Sequence, residues 1–167
     1  MLIKIGLPIL GVLVLFLIYV STRETKFHYS VTRTINAPVE KVFPYLSDFK
    51  LGSQWSPYET DPNIKREYLG NKMNFESKDS GSGTLEFLKI VPNQSVDMSL
   101  VMTAPISVSN LVQYKVVPVN GGTEFTWSMT GENGYFMKLV GVFINCEKMF
   151  QDKFDEGFTN LKKIVEN

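Results

Sequence analysis

From Ile64 to Thr130 the apolar residues recur at every second position, and after Gly134 that period disappears. Val96, Met98, Leu100 and Met102 share one face against Asp97 and Ser99. Asn110, Val112, Tyr114 and Val116 lie opposite Gln113 and Lys115, and Phe125, Trp127 and Met129 lie opposite Glu124, Thr126, Ser128 and Thr130. A period of two places alternate side chains on opposite faces of a strand, so these segments read as half-buried strands. Ile64/Arg66/Tyr68 and Met73/Phe75 read as shorter strands divided at Gly70-Asn71. In Thr84–Val91 the alternation slips between Phe87 and Leu88, which suggests a bulge or a two-sided contact. Gly81-Ser82-Gly83 reads as a flexible turn and Asn120-Gly121-Gly122 as a hairpin turn.

Beyond Gly134 the pattern is helical. Phe136, Leu139, Val140, Phe143, Phe150, Phe154, Leu161 and Ile164 recur at steps of three and four, with no proline from Tyr135 to Glu166. This predicts one amphipathic helix of roughly thirty residues, well above the usual length. Gly157 falls near that stripe, where another element would come close. On the N-terminal side, Phe27, Tyr29, Val31 and Ile35 alternate as a first strand with Arg33 as the misfit. Pro38 then suits the first position of a helix carrying Val39, Val42, Phe43 and Leu46, with Pro44 expected to kink or split it. Consecutive hairpin-connected strands beside helices imply an α+β domain with a largely antiparallel sheet.

Before this domain stands "IGLPILGVLVLFLIYV", Ile5 to Val20, which is uncharged and almost wholly aliphatic. Its helical rise of about 24 Å falls short of a hydrocarbon core of about 30 Å. Counting from Leu2, with Lys4 snorkelling to the interface, brings it close to spanning. Tyr19-Val20-Ser21-Thr22-Arg23 offers no small-x-small cleavage site, which favours a retained anchor over a cleaved signal peptide. The expected organisation is a transmembrane anchor over 1–22, a linker over 23–26 and one domain over 27–167. The flanking positive charges nearly balance; a short basic N-terminal tail usually stays inside, which points the domain to the extracytoplasmic side.

Seventeen basic and seventeen acidic residues balance, without a basic cluster, so no nucleic-acid partner is expected. His28 is the sole histidine and Cys146 the sole cysteine. A disulfide within the chain and a Cys-based metal site are therefore excluded, and no metal or cofactor is expected. Cys146 reads as a buried structural thiol. Nothing in the chain indicates an oligomeric state.

The order and spacing of "VTRTINAPVEKVFPYLSDF" (31–49), "QWSPYETDPNIKREYLG" (54–70), "GGTEFTWSMTGE" (121–132) and "MKLVGVF" leading into "FDEGFTNLKKI" resemble the START-like (SRPBCC) superfamily. The resemblance is to its polyketide cyclase/dehydrase and lipid-transport group, in its membrane-anchored bacterial form. It implies a helix-grip fold, in which a curved antiparallel sheet wraps a long C-terminal helix around a cavity. Members bind sterols, lipids, polyketides or other hydrophobic molecules and some catalyse cyclisation or hydrolysis. No universal catalytic set exists to carry over, and no catalytic residue is assigned.

The expected partner is a hydrophobic small molecule or lipid. The expected ligand-binding residues are Phe75, Met98, Met102, Tyr114, Trp127 and Met129 on the sheet, faced by Phe136, Val140 and Phe143 on the terminal helix. Methionines and aromatics make adaptable apolar walls with a few polar handles. Trp55 and Tyr58 are expected near the mouth, within a helical insertion, Ile35–Pro62, that closes one end. Arg33 and Asn110 interrupt apolar faces, as head-group contacts or, for Arg33, as a strand-end side chain reaching solvent. Two alternatives stay open: an enzyme on an apolar substrate, for which Glu59, Asp61 and Tyr58 are the candidates, and a structural or chaperone-like module with a filled core.

Overall fold

The computed structural model describes residues 2–58, 63–78 and 81–167, with side chains described from Ile9 onward. A helix, α1 (Leu2–Thr22), leads into strand β1 (Lys26–Ile35) and two short helices, α2 (Val39–Ser47) and α3 (Phe49–Gly52). Six strands follow: β2 (Lys65–Leu69), β3 (Lys72–Ser77), β4 (Gly81–Val91), β5 (Ser95–Ala104), β6 (Val108–Val119) and β7 (Gly122–Glu132). Helices α4 (Tyr135–Phe143) and α5 (Cys146–Val165) close the chain.

The strands form one antiparallel sheet in the order β1-β7-β6-β5-β4-β3-β2. Only β1 departs from neighbour-to-neighbour order, pairing Lys26 with Glu132 and Ile35 with Thr123 along β7. β4 carries the bulge expected at Leu88, where pairing jumps from Phe87↔Met98 to Lys89↔Asp97. A second shift at Ser82/Gly83 bends the same strand, and bulges of this kind curve a sheet. Gly81, Ser82 and Gly83 thus open β4 instead of forming a turn before it. The curved sheet and terminal helix fit the helix-grip α+β architecture.

The stripe expected on α2 is the one it buries: Val39, Val42, Phe43 and Leu46. Pro38 precedes the helix as its N-cap, and Pro44 lies within α2 without splitting it. Pro44 is on the exposed side, so its ring displaces no core atom. The break falls at Asp48, whose extended backbone ends α2 and whose carboxylate accepts the Leu51 N–H to cap α3.

The single terminal helix expected from periodicity is two helices. Ile144 is extended, and the Asn145 side chain accepts the Lys148 N–H, restarting the helix as α5. The backbone donors of a first helical turn lack partners within the helix, and an Asn cap supplies one, so α5 begins at its own cap. From there Phe154, Gly157, Phe158, Leu161 and Val165 face the sheet.

The core gathers around Trp55, which is 1% exposed. Its indole N–H donates to the Tyr45 carbonyl at 2.8 Å, and its ring meets Trp127 edge-on at 5.3 Å. Trp127 stacks on Phe154 at 4.2 Å. Gly157 permits this approach: a Cβ there would lie 2.8 Å from the Trp127 ring, 3.0 Å from Pro57 and 3.3 Å from the Trp55 ring. A Gly157→Ala substitution is expected to cost about 1–3 kcal/mol of stability by overpacking, read as a lowered denaturation midpoint at unchanged slope.

Candidate functional site

Between the inner face of the sheet and the helices lies a cavity of about 350 Å³. Its lining includes the aromatic residues Trp55, Tyr114, Trp127 and Phe154 together with Phe75, Leu85, Phe87, Met98, Leu100 and Met102. Phe49 stacks on Phe87 at 4.0 Å, and Phe27, Tyr29 and Phe150 stack in series at 4.7 and 5.0 Å. Rigid rings and flexible thioethers together make an apolar wall that can adjust to a guest.

Polar groups are few and grouped. Asn110, Glu132, Asn133 and Cys146 come from the ends of β6 and β7 and the start of α5, and Asp48, Ser56 and Tyr58 from the α2–α3 side. The Asn110 Oδ1 is buried without a hydrogen-bond partner among the described residues. It is pressed against Gly131, where a Cβ would lie 2.1 Å from it and 2.8 Å from the Phe27 ring. A buried amide oxygen left unpaired is costly, which makes Asn110 the wall residue with an unmet polar group. Burial, and then the nearby Glu156 charge, push the Tyr58 hydroxyl well above its ordinary range. Burial likewise raises Tyr29, with Cys146 and Glu147 adding to the effect. Both phenols therefore stay protonated near neutrality and act as neutral polar groups.

Nine of the residues expected to bind ligand line this cavity together: Trp55, Tyr58, Phe75, Met98, Met102, Asn110, Tyr114, Trp127 and Met129. Trp55 is placed differently from the expectation, since it is packed into the core and not set at an open mouth. Phe136, Val140 and Phe143 do not reach the cavity. They belong to α4, which the break at Ile144–Asn145 separates from α5; Phe136 is 57% and Phe143 75% exposed. Arg33 is also outside. Its guanidinium forms a two-point pair with Asp155 of α5, Nε to Oδ1 at 2.8 Å and Nη2 to Oδ2 at 3.0 Å, with both side chains about half exposed. Cys146 is part-exposed at the start of α5, not a buried core thiol. His28 is exposed, its Nδ1 3.0 Å from the Thr130 hydroxyl. Glu59, Asp61 and Pro62 lie outside the described residues.

Sequence reasoning left Phe27, Tyr29, Phe49, Leu85, Phe87 and Leu100 out of the site, yet all line it. The alternation of Phe27 and Tyr29 is visible in the sequence, but their nearness to Phe150 comes from the packing of α5 against β1, which no local pattern carries. Leu85 and Phe87 lie beside the bulge that disturbed their period.

An apolar cavity closed by a curved antiparallel sheet and a terminal helix defines a hydrophobic-cavity protein of the helix-grip kind. The family profile described as polyketide cyclase/dehydrase and lipid transport matches residues 26–166, and the chain belongs to that family. Among solved structures the chain resembles protein MLL2253 from Mesorhizobium loti at 16% identity and a TM-score of 0.64, covering 84% of this chain and 97% of that one. It also resembles the Aha1 dimer from Colwellia psychrerythraea at 14% identity and a TM-score of 0.60, over 84% of this chain and 96% of that one. DynU16, from the dynemicin biosynthetic locus, is 13% identical with a TM-score of 0.59, covering 84% of this chain and 47% of its own length. Likeness at these identities shows the fold alone. No curated protein sequence matches.

Because the Arg33–Asp155 pair is half exposed, it is worth about 0–1 kcal/mol. Arg33→Met is therefore expected to change the denaturation midpoint little and to leave binding of an apolar probe such as cis-parinaric acid unchanged. A loss of probe binding would return Arg33 to the site.

Proposed function

We propose that the protein holds one small hydrophobic molecule in its internal cavity while tethered to a membrane by α1. The observation that supports binding is the cavity itself, about 350 Å³ with aromatic and methionine walls. Ligand pockets commonly measure about 300–1,000 Å³, so this one suits a single-chain or compact ring compound better than a diacyl lipid. The few polar residues on its wall, Asn110 and Tyr58 among them, favour a mainly apolar guest with one polar end.

Support for the tether comes from the aliphatic sequence of Leu2–Val20 and from the exposure of Ile9, Val12, Leu13, Leu15 and Ile18 on α1. A helix of 21 residues rises about 31 Å, close to the hydrocarbon thickness. Among the described residues no helix is long and apolar enough to cross a membrane. The tether reading therefore includes residues 1–8, whose side chains lie outside the described set. A ligand that partitions into lipid would be concentrated where such a tether holds the cavity.

Native mass spectrometry of gently purified full-length protein is expected to show a stoichiometric small-molecule adduct. Leu100→Trp, which fills the cavity, is expected to lose it; an adduct-free wild type would favour a filled-core module instead. With the domain on the extracytoplasmic side, protease added to intact cells whose outer barriers are permeabilised is expected to degrade it. Protection until the membrane is lysed would put the domain inside.

A further inference from the structure

Helix α4 is the least accounted-for element of the domain. Its sequence, YFMKLVGVF, is almost entirely apolar, yet of its residues, all described, none is buried. The element it packs against most is α1, not the sheet. Phe143 meets Phe16 with ring centroids 6.3 Å apart, the Tyr135 hydroxyl donates to the Leu17 carbonyl at 3.1 Å, and the Lys138 ammonium donates to the Ser21 carbonyl at 3.4 Å. Exposed apolar side chains thus occur on α1 and α4, with Phe136 and Phe143, and continue at Ile144 and Met149.

We infer that α4 is a bilayer-seated helix, and that the apolar guest passes between membrane and cavity beside it. This deepens the proposed function and rests on α1 being the membrane tether. The first support is depth. Phe16 lies six residues before the end of α1, so Phe143 sits about 9 Å down the α1 axis from its C-terminal end. Interfacial helices bury their apolar face about 5–10 Å into the headgroup–acyl boundary. The second support is the placement of polar groups. Lys138 reaches back to Ser21 in the last turn of α1, the level at which a snorkelling amine meets headgroups. The third is position at the cavity. Met137 on α4 lines it, as do Glu132 and Asn133 just before the helix and Cys146 just after it. One short helix therefore faces the cavity on one side and carries the exposed apolar surface on the other.

The test uses full-length protein in phosphatidylcholine vesicles with brominated acyl chains. A single environment-sensitive fluorophore is placed on Leu13→Cys, Phe143→Cys or Asn120→Cys, each in a Cys146→Ala background. Asn120 lies exposed in the turn between β6 and β7, at the end of β7 opposite Glu132, and serves as the water-exposed reference. Strong quenching at positions 13 and 143 with none at 120 is the expected result. Quenching at 13 without quenching at 143 overturns the α4 inference while leaving the tether intact, and shielding of 143 by a second copy would give that same pattern. Absence of quenching at 13 overturns the tether and with it this inference. For the route, Phe143→Glu is expected to slow transfer of cis-parinaric acid from vesicles to protein, with the amount bound in detergent unchanged. An unchanged transfer rate in that variant would overturn passage beside α4.

Discussion

The packing of Trp55 between Tyr114, Phe125 and Trp127, with Gly157 of α5 drawn against the indoles, is the contact on which the rest of the domain depends. It joins the α2–α3 segment, the central strands and the terminal helix at one point. Large aromatic rings packed edge-on and stacked close this end of the core. Because the core is sealed there, the remaining space between sheet and helices can stay open without loss of the fold. The cavity lies beside this cluster, with Trp55, Tyr114, Trp127 and Phe154 forming part of its wall.

The same geometry divides the C-terminal segment into two roles. α5 carries the buried stripe Phe154, Gly157, Phe158, Leu161 and Val165 and packs against β1, where Arg33 meets Asp155 at the surface. α4 contributes nothing to that core and instead packs on α1. An Asn cap at position 145 separates the two, since a helix restarted at its own cap is free to take a new direction. The proposed function draws on this division: α5 closes the cavity from within the fold, and α4 lines it through Met137 while packing on α1.

Much of the fold was legible in the residues. The strand faces of β5, β6 and β7, the buried stripe of α2, the bulge at Leu88 and the close approach at Gly157 all appear as local patterns of period, interruption or small size. The candidate site was legible where it sits on those strands, as with Met98, Met102, Tyr114, Trp127 and Met129. It was not legible where geometry depends on direction. Phe136, Val140 and Phe143 share a helical period with α5 residues, and period alone does not reveal that Ile144 turns the chain. Arg33 sits on the inward parity of β1, but the carboxylate that draws it to the rim lies 122 residues further along.

By itself the sequence determined the α+β class, the strand faces, the apolar N-terminal helix and the kind of side chain that would line an interior. Those are properties of neighbours within a few positions, set by the periods of two and 3.6 and by where glycine, proline and asparagine interrupt them. Only the tertiary structure decided that the interior holds a cavity, which residues surround it, and that α4 leaves the core to lie beside α1. These depend on how volumes fill and on which distant elements meet, and no local period carries that information.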